Sequence, residues 1–498
     1  MNTFFEKYLS KIPMYAVVGG TLTLLITSAL AVSFFNGLSF SPLALVASAA
    51  VFVGAGVGAS WLLGKLYGVP SHINSAAITA LILTLLFTPT LDPAVLLQYA
   101  FIAVLAQASK YVLTFRGRHI FNPAAVATFI GGAVLQLQFA SWWVGTPVLF
   151  VPLLITAFLV LYKTRQLALG GLFVAIAVAL VTLGGALRGE NFIEAAIVAL
   201  TSWPILFAAG FMLSEPLTLP PRKWQKLTVA AVAAIIVGLP FHVGGFYSSP
   251  EFAIVIGNIV AFGLAFSHRR RMQLTLKKKV ALTPTSYEFT FATDHPVAFE
   301  PGQYLELSLP HAKQDLRGTR RSFSITSLPN ERHIKLGIKF YEPGSTFKKK
   351  LLSLEPGATL HSTGITGDFV LPASPNEKLL FIAGGIGITP FISHVLAGAS
   401  QGEQRDITLL YFVRNPQEAA YKEVLDASGI NVHYFVAKNA TPGFTMAPYL
   451  TAEVLEKYAP DSSSRIAYVS GPAPMVAATK KLLKHKVKRL HTDYFSGY

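Results

Sequence analysis

The sequence predicts a multi-domain chain: a ten-helix α membrane domain built as an inverted repeat of five and five spans, then an antiparallel β-barrel domain, then an α/β domain. Three observations predict it. Long uncharged stretches follow one another through the first half, the last being "FAIVIGNIVAFGLAF". A cation cluster, "FSHRRRMQLTLKKKVALTP" (266–284), closes that run with Arg269, Arg270, Arg271, Lys277, Lys278 and Lys279. Beyond it the pattern changes to short alternating strands and then to strand, glycine-rich turn and helix, repeated. The expected boundaries are 1–271, 272–375 and 376–498.

The whole chain of 498 residues is 52% hydrophobic and 13% charged, which is unusual for a soluble protein. The charge is unevenly shared. Residues 1–273 hold 15 Lys and Arg against 6 Asp and Glu, and residues 274–498 hold 26 against 19. There is no cysteine, which excludes disulfides, thiolate-held iron–sulfur clusters and cysteine-based zinc sites. The first apolar stretch is long enough to span and lacks a small-residue cleavage pattern, so no cleavable signal peptide is expected.

A span needs about 20 mostly apolar residues. Between Pro, Gly and charged breaks the expected spans are 14–35, 41–63, 74–91, 93–114, 121–138, 147–162, 167–187, 197–216, 227–245 and 250–267. With the N-terminus inside, the inner segments carry Lys7, Lys11, Lys65, Arg116, Arg118, Lys163, Arg165, Arg222, Lys223, Lys226 and Arg269 to Arg271. The outer loops carry only Arg188. Lys and Arg are retained on the cytoplasmic side, so both termini are expected in the cytoplasm, with the chain in the inner (cell) membrane. Two halves of five spans face opposite ways. Short echoes fit this: "FTPTLDP" after span three against "MLSEPLTLPP" after span eight, and "FNPAA" in span five against "IGNIVAFG" in span ten. Such repeats place a site near the middle of the bilayer, although proline also simply ends helices. The first half contains only His72, His119, His242 and His268, with His242 alone inside an expected span, so paired haem ligation across two spans is excluded.

The segments "RGRHIFNPAAVATFIGG" (116–132) and "FMLSEPLTLPP" (211–221) resemble the flavin-carrying membrane components of two electron-transfer assemblies, the Rnf complex and the sodium-pumping NADH:quinone reductase. The resemblance covers roughly residues 10–268 and implies a membrane flavin. Members of that family attach FMN to a Thr in Ser-Gly-Ala-Thr; here "GGALRG" (184–189) has no Thr, so the implied FMN, or another flavin, is held without a covalent link. Arg118, His119 and Asn122 at the start of span five, with Ser214, Glu215 and Thr218 at the end of span eight, are the candidate residues for it. Intramembrane polar groups are costly and mark function by default, though Asn122 also suits a helix cap and Arg118 a headgroup anchor.

In the second half, "KLLFIAGGIGITPFISHVL" (378–396) places Gly384, Gly385 and Gly387 between a buried strand and a helix, where backbone N–H groups can approach a phosphate. "PGQY" (301–304), "RSFS" (321–324), "EPGSTFKKKL" (342–351), "AGGIGITP", "LLYFVRN" (409–415) and "VSGPAPMV" (469–476) follow one another as in the ferredoxin–NADP reductase superfamily, and the chain ends in "TDYFSGY". The resemblance implies FAD in the barrel and NADH or NADPH in the α/β domain. It sets Arg321 on the flavin pyrophosphate, Tyr304 and Phe323 against the flavin with Ser322 between, and Ser324 near its reacting edge. Gly344, Ser345 and Thr346 would form a pyrophosphate turn. Gly384, Gly385, Gly387, Ile388, Thr389 and Pro390 would line the dinucleotide path, with Arg414 at the ribose or its phosphate. Gly471, Pro472 and Met475 would close over the nicotinamide. Phe495 and Tyr498 complete the set, and Ser470 stands where many members have Cys. Ser324, Thr389, Ser470 and Phe495 are the residues expected at the reacting atoms.

The expected function is transfer of electrons from cytosolic NAD(P)H through FAD to a membrane flavin and on to an acceptor: a quinone, an external protein or a small molecule. A redox-regulated transporter or channel, and a reductase with a passive anchor, stay open as alternatives. The Lys- and His-rich "KKLLKHKVKRLH" (480–491) reads as an exposed helix face, and no nucleic-acid partner is expected.

Overall fold

The structure, a computed structural model, describes residues 9, 12–69, 71–115, 118–244, 246–266, 272–311, 314–315 and 317–494. The chain divides into two compact units, Pro13–Ser267 and His268–Tyr498 with Met1–Ile12. The cation cluster 269–271 and the candidates Phe495 and Tyr498 lie outside the described residues.

The first unit is helical: α1 (Met14–Phe34), α2 (Pro42–Leu66), α3 (Ile73–Leu86), α4 (Pro93–Val112), α5 (Pro123–Phe129), α6 (Phe150–Lys163), α7 (Leu167–Leu187), α8 (Phe192–Thr201), α9 (Ile205–Phe207), α10 (Lys223–Gly238) and α11 (Pro250–Ala265). Four of them start by one device. Ser41, Asp92, Asn122 and Ser249 each accept a backbone N–H on the side-chain oxygen, and a proline follows in the first turn. The capping oxygen satisfies an orphan donor and the proline lacks one to leave unsatisfied. Helical elements lie on all ten expected segments, but lengths differ. Among the described residues four helices, α1, α2, α4 and α7, are long and apolar enough to cross a membrane, five if α8 and the helix after it, bent by 47°, form one span. Helix length therefore supports four or five spans where the sequence predicted ten. Phe87 leaves α3 in an extended conformation after 14 residues, α6, α10 and α11 run for 14, 16 and 16 residues, and α5 and α9 continue as π-helical stretches, Ile130–Val134 and Ala208–Leu213.

The expected echo between the two halves has a counterpart here. A two-residue antiparallel ladder precedes α5 (Phe115 opposite Arg118) and another precedes α11 (Val243 opposite Phe246). Asn122, before α5, bonds to Met212 O near the end of the eighth segment at 3.2 Å. Glu251, in α11, accepts from Trp142 Nε1 at 2.9 Å, and Trp142 N in turn donates to Leu86 O at the end of α3 at 2.8 Å.

The second unit holds two sheets. The first comprises β1 (Met272–Thr283), β2 (Ser286–Val297), β3 (Tyr304–Ser308), β4 (Arg320–Ser324), β5 (Glu331–Lys339) and β6 (Thr359–Thr366), in the order β4-β3-β6-β1-β2-β5 and antiparallel throughout. A single bridge, Ile325 with Leu336, follows its edge strand β4, so the structure gives a six-stranded antiparallel sheet without the closing ladder of the expected barrel. Helix α12 (Thr346–Leu352) follows β5. The second sheet comprises β7 (Leu379–Gly384), β8 (Ile407–Val413), β9 (Asn431–Val436), β10 (Phe444–Met446), β11 (Ile466–Gly471) and β12 (Arg489–Tyr494), all parallel, in the order β10-β9-β8-β7-β11-β12. Helices α13 (Thr389–Ser400), α14 (Lys422–Asp426), α15 (Ala452–Tyr458) and α16 (Ala473–Leu483) lie between its strands in sequence. Every residue of "LLFIAG" in β7 is buried. Alternate residues serve different cores, Phe381 packing with Phe391 and Tyr411, and Ile382 with Leu410 and Phe435. That is why the strand reads as an unbroken apolar run rather than an alternating one. Arg465 ties the starts of the central strands together, donating to Asp406 Oδ1 (2.7 Å), Asp461 Oδ1 (2.6 Å) and Leu379 O (3.0 Å).

The two sheets are joined at the PGQY turn. Gly302 has φ of +86°, and a Cβ there would stand 2.1 Å from Phe369 O and 2.4 Å from His394 Nε2. Its N–H donates to Ser393 Oγ at 2.9 Å. The buried His394 donates from Nε2 to Phe369 O at 3.0 Å. Burial pushes the His394 imidazole down to about 4; the Phe369 bond opposes this and Arg405 adds to it. An unfolded histidine titrates near 6.5, so between these values the unfolded chain binds a proton that the fold refuses. Stability is therefore full above about pH 6.5 and falls as pH drops toward 4, by about 2 kcal/mol between pH 7 and pH 5 from this residue. Denaturant unfolding at both pH values should show that loss in the native chain, and His394→Gln, which keeps a donor for Phe369 O, should remove about that much of the difference.

Candidate functional site

The parallel sheet changes direction between β7 and β11, where successive strands go to opposite sides, and ligands of open α/β sheets bind in the crevice outside the strand ends at such a point. Gly384 ends β7, Gly385 to Ile388 form a single 3-10 turn, and α13 begins at Thr389 with Pro390 in its first turn. A Cβ on Gly387 would lie 2.5 Å from Gly471 Cα and 2.5 Å from Ser470 O, and one on Gly384 would lie 2.2 Å from Met475 Sδ. The turn thus packs directly on the end of β11, and Pro472 continues into α16. Gly385 differs. It adopts φ of +53° and has open space on its Cβ side, which leaves the turn's backbone approachable from there. Ile388 and Thr389 are buried, and Thr389 Oγ1 donates to Ile386 O at 3.0 Å.

Ser324 ends β4 beside the bridging Ile325, and the partner strand carries Gly337, whose Cβ position lies 2.8 Å from Thr389 Cγ2. Ser324 and Thr389 therefore belong to one seam between the sheets. Across it Tyr421 donates to Thr326 Oγ1 at 3.4 Å and Lys339 pairs with Glu418 at 2.6 Å. Burial raises the Tyr421 hydroxyl well above its ordinary value, with Glu288 adding to the shift. Two hydroxyls here stand out: Ser324 Oγ and Ser470 Oγ are fully buried and have no hydrogen-bond partner among the described protein atoms. Asn415 Oδ1, after β8, is in the same condition. Native folds leave few such groups, so these positions fit a bound polar ligand.

Arg321 is buried, with its guanidinium 5.1 Å from the Phe347 ring centroid. Nη1 donates to the carbonyls of Arg317 (2.8 Å), Gly318 (3.2 Å) and Arg320 (2.6 Å), so it also shapes the turn before β4. Lys348 lies among cations. Burial first, then Arg321, Arg317 and Lys339, bring its ammonium down to about 8. Ser345 caps α12, its Oγ accepting from Lys348 N at 3.2 Å. Thr346, expected to offer its N–H to a phosphate, already donates to Asp315 Oδ2 at 3.0 Å. Tyr304, Ser322 and Gly344 are half-buried, and Arg414 is exposed at the end of β8. Phe323, expected against a flavin, sits in the sheet core 6.2 Å from the Phe347 ring.

In the first unit the expected residues do converge. His119 Nε2 meets Glu215 Oε1 at 2.9 Å, and Asn122 Nδ2 donates to Glu215 Oε2 at 2.9 Å. Asn122 also caps α5, as its alternative reading held, and its N–H donates to Asn258 Oδ1 at 2.7 Å. Thr218, buried, donates to Glu215 O at 3.1 Å, and Ser214 to Gly210 O at 2.6 Å. The Arg118 side chain lies outside what is described. Elsewhere in the unit, Lys110 Nζ donates to Ser75 O, Ser75 Oγ and Thr79 Oγ1 at 3.0 to 3.1 Å. Gln107, one turn earlier, is buried with neither end of its amide bonded. Sequence reasoning missed Asp315, Lys348, Asn258 and Lys110 as site members. Asn258 and Lys348 stood inside segments already singled out; Asp315 carried no local signal.

A family model for the oxidoreductase NAD-binding domain matches residues 381–481. The glycine betaine monooxygenase reductase subunit of Pseudomonas aeruginosa is 28% identical over 220 residues, 42% of this chain and 59% of that protein. NADH-cytochrome b5 reductase 1 of Laccaria bicolor is 29% identical over 265 residues, 48% of this chain and 84% of that protein. The solved cytochrome P450 reductase GcoB of Amycolatopsis is 20% identical with a TM-score of 0.41, covering 46% of this chain and 71% of that one. The chain thus spans 59% of the length of the first of these relatives.

An unmade hydrogen bond to a buried group costs about 1–3 kcal/mol. Ser324→Ala and Ser470→Ala should therefore leave the ligand-free chain as stable as the native one or up to about 1 kcal/mol more stable. Thermal unfolding without cofactors measures this, and a loss of stability in both variants would show that the hydroxyls already have partners.

Proposed function

We propose that a chain whose C-terminal half is an FAD- and NAD(P)H-binding oxidoreductase module of the ferredoxin–NADP reductase type uses its apolar half to pass electrons into or across a membrane. Bound FAD supplies acceptance of two electrons together and their release one at a time. The chain's own groups do the positioning. Arg317, Arg321 and Lys348 set positive charge where the flavin pyrophosphate would be held, by charge-assisted bonds. The Ser324 and Ser470 hydroxyls, buried and unpartnered, would hydrogen-bond the flavin edge and the nicotinamide. The open side of Gly385 would admit the dinucleotide phosphates to backbone N–H groups, while the close packing of Gly387 on Gly471 keeps water from the junction beneath.

One observation carries the membrane part of the reading. The same chain holds a helical unit whose surface exposes large apolar side chains on successive helices, among them Leu24, Phe34, Trp61, Leu97, Phe158 and Ile197. Apolar surface of that extent marks a membrane or partner surface, and the proposed environment is a lipid bilayer with the module on the cytoplasmic side. Hydrocarbon about 30 Å thick is too wide for one useful electron step, so a relay is required. Without cysteine or a histidine pair, a non-covalently held flavin such as FMN is the relay proposed. His119, Asn122 and Glu215 lie on the segments that resemble flavin-carrying membrane proteins and come together as one polar cluster, which supports that place for it. The acceptor beyond would be a quinone, an external protein or a small molecule.

Two measurements test this. Arg321→Ala should weaken FAD binding by about 1.5–3 kcal/mol, and Arg321→Lys, which keeps the charge but not the three-carbonyl clasp, should fall between; unchanged flavin content in both would refute the site. Residues 1–273 purified alone should absorb as a flavoprotein, and a colourless but folded product would leave the helical half as an anchor or transporter.

A further inference from the structure

The cations assigned above to the flavin pyrophosphate already face an anion supplied by the chain. Asp315 Oδ1 accepts from Arg317 N at 2.9 Å and lies 3.9 Å from Arg321 Nη2, while Oδ2 accepts from Thr346 N at 3.0 Å. The contact is reciprocal, because Asp315 N donates to Thr346 Oγ1 at 3.1 Å, a hydroxyl that also meets His311 Nε2 at 2.9 Å. The cation beside this carboxylate is the Arg321 guanidinium, while Arg317 reaches it through its backbone N–H. Glu418 is engaged with Lys339 at 2.6 Å. The Lys348 ammonium is brought down to about 8 by burial first and then by Arg321, Arg317 and Lys339.

We propose that the Asp315 carboxylate is a built-in competitor of the flavin pyrophosphate for the Arg321 guanidinium and must be displaced, or tolerated at the cost of repulsion, when FAD binds. The inference rests on the reading of this half as an FAD-binding module. A pyrophosphate that bonds Arg321 comes within about 3 Å of a guanidinium whose other side is 3.9 Å from Asp315. Two negative groups so placed oppose each other, since a nearby like charge disfavours the charged form of its neighbour. Asp315 thereby compensates the Arg321 charge before the cofactor arrives, and lowers the affinity for the cofactor once it does. Residues that merely cap a helix have no such effect on ligand charge.

The experiment uses the full-length chain in detergent, stripped of flavin, with FAD and riboflavin as the two probes and quenching of flavin fluorescence as the readout. Riboflavin carries the same ring system without phosphate. Asp315→Asn keeps a side-chain oxygen for the Thr346 N–H and removes the charge. It should bind FAD at least five-fold more tightly than the native chain, with riboflavin affinity unchanged, and the gain should shrink as salt rises. Asp315→Ser, which also keeps an oxygen, should give the same direction if the first variant folds poorly. Unchanged or weaker FAD binding in the folded variants would make Asp315 a structural cap and overturn the proposal. An equal gain for riboflavin would overturn it too, since the effect would then be general opening of the pocket. A native chain that binds no FAD would instead refute the function on which the proposal rests.

Discussion

The C-terminal half depends on an approach of backbone to backbone at residues 384, 387 and 471. A Cβ on Gly387 would lie 2.5 Å from Gly471 Cα, so only glycine lets the β7 turn press on the end of β11. That contact sits where strand order reverses in the parallel sheet. Everything proposed for the dinucleotide follows from it: the exposed flank of Gly385, the start of α13 at Thr389, and the buried Ser470 hydroxyl beside the turn. The first sheet is held to this frame by a second close approach, at Gly302, where the backbone N–H reaches Ser393 and no side chain could fit against Phe369 and His394. Glycine's lack of a Cβ is the shared reason both contacts exist.

Charge is handled oppositely in the two halves. In the helical unit, polar side chains are few and mostly saturate one another: Glu215 takes His119 on one oxygen and Asn122 on the other, and Lys110 satisfies its ammonium on Ser75 and Thr79. In an apolar interior an unsatisfied group is costly; Gln107, bare at both ends of its amide, stands among the described exceptions with Gln98, Thr128, Thr146 and Thr182. In the C-terminal half, cations gather: Arg321, Arg317 and Lys339 each add to the lowering of the Lys348 ammonium, and Asp315 Oδ1 stands 3.9 Å from Arg321 Nη2.

Much of this was open to the sequence. Apolar runs, glycine-bearing turns and proline-initiated helices are local features, and their periods or side chains decide backbone conformation within a few residues. So the positions of the helical elements, the change from antiparallel to parallel sheet and the strand–turn–helix at 384–389 were readable, as was the convergence of His119 and Asn122 with the end of the eighth segment. Other features were decided only by tertiary structure. Where helices end or change type is one: α3 leaves helical conformation at Phe87, and α5 and α9 continue as π-helical stretches. Phe323 went into the sheet core because strand parity placed it beside Phe347. Asp315 met Thr346 across 31 residues of chain. No local pattern specifies a contact between groups that far apart, because it is the fold's closure, not either segment, that sets their distance.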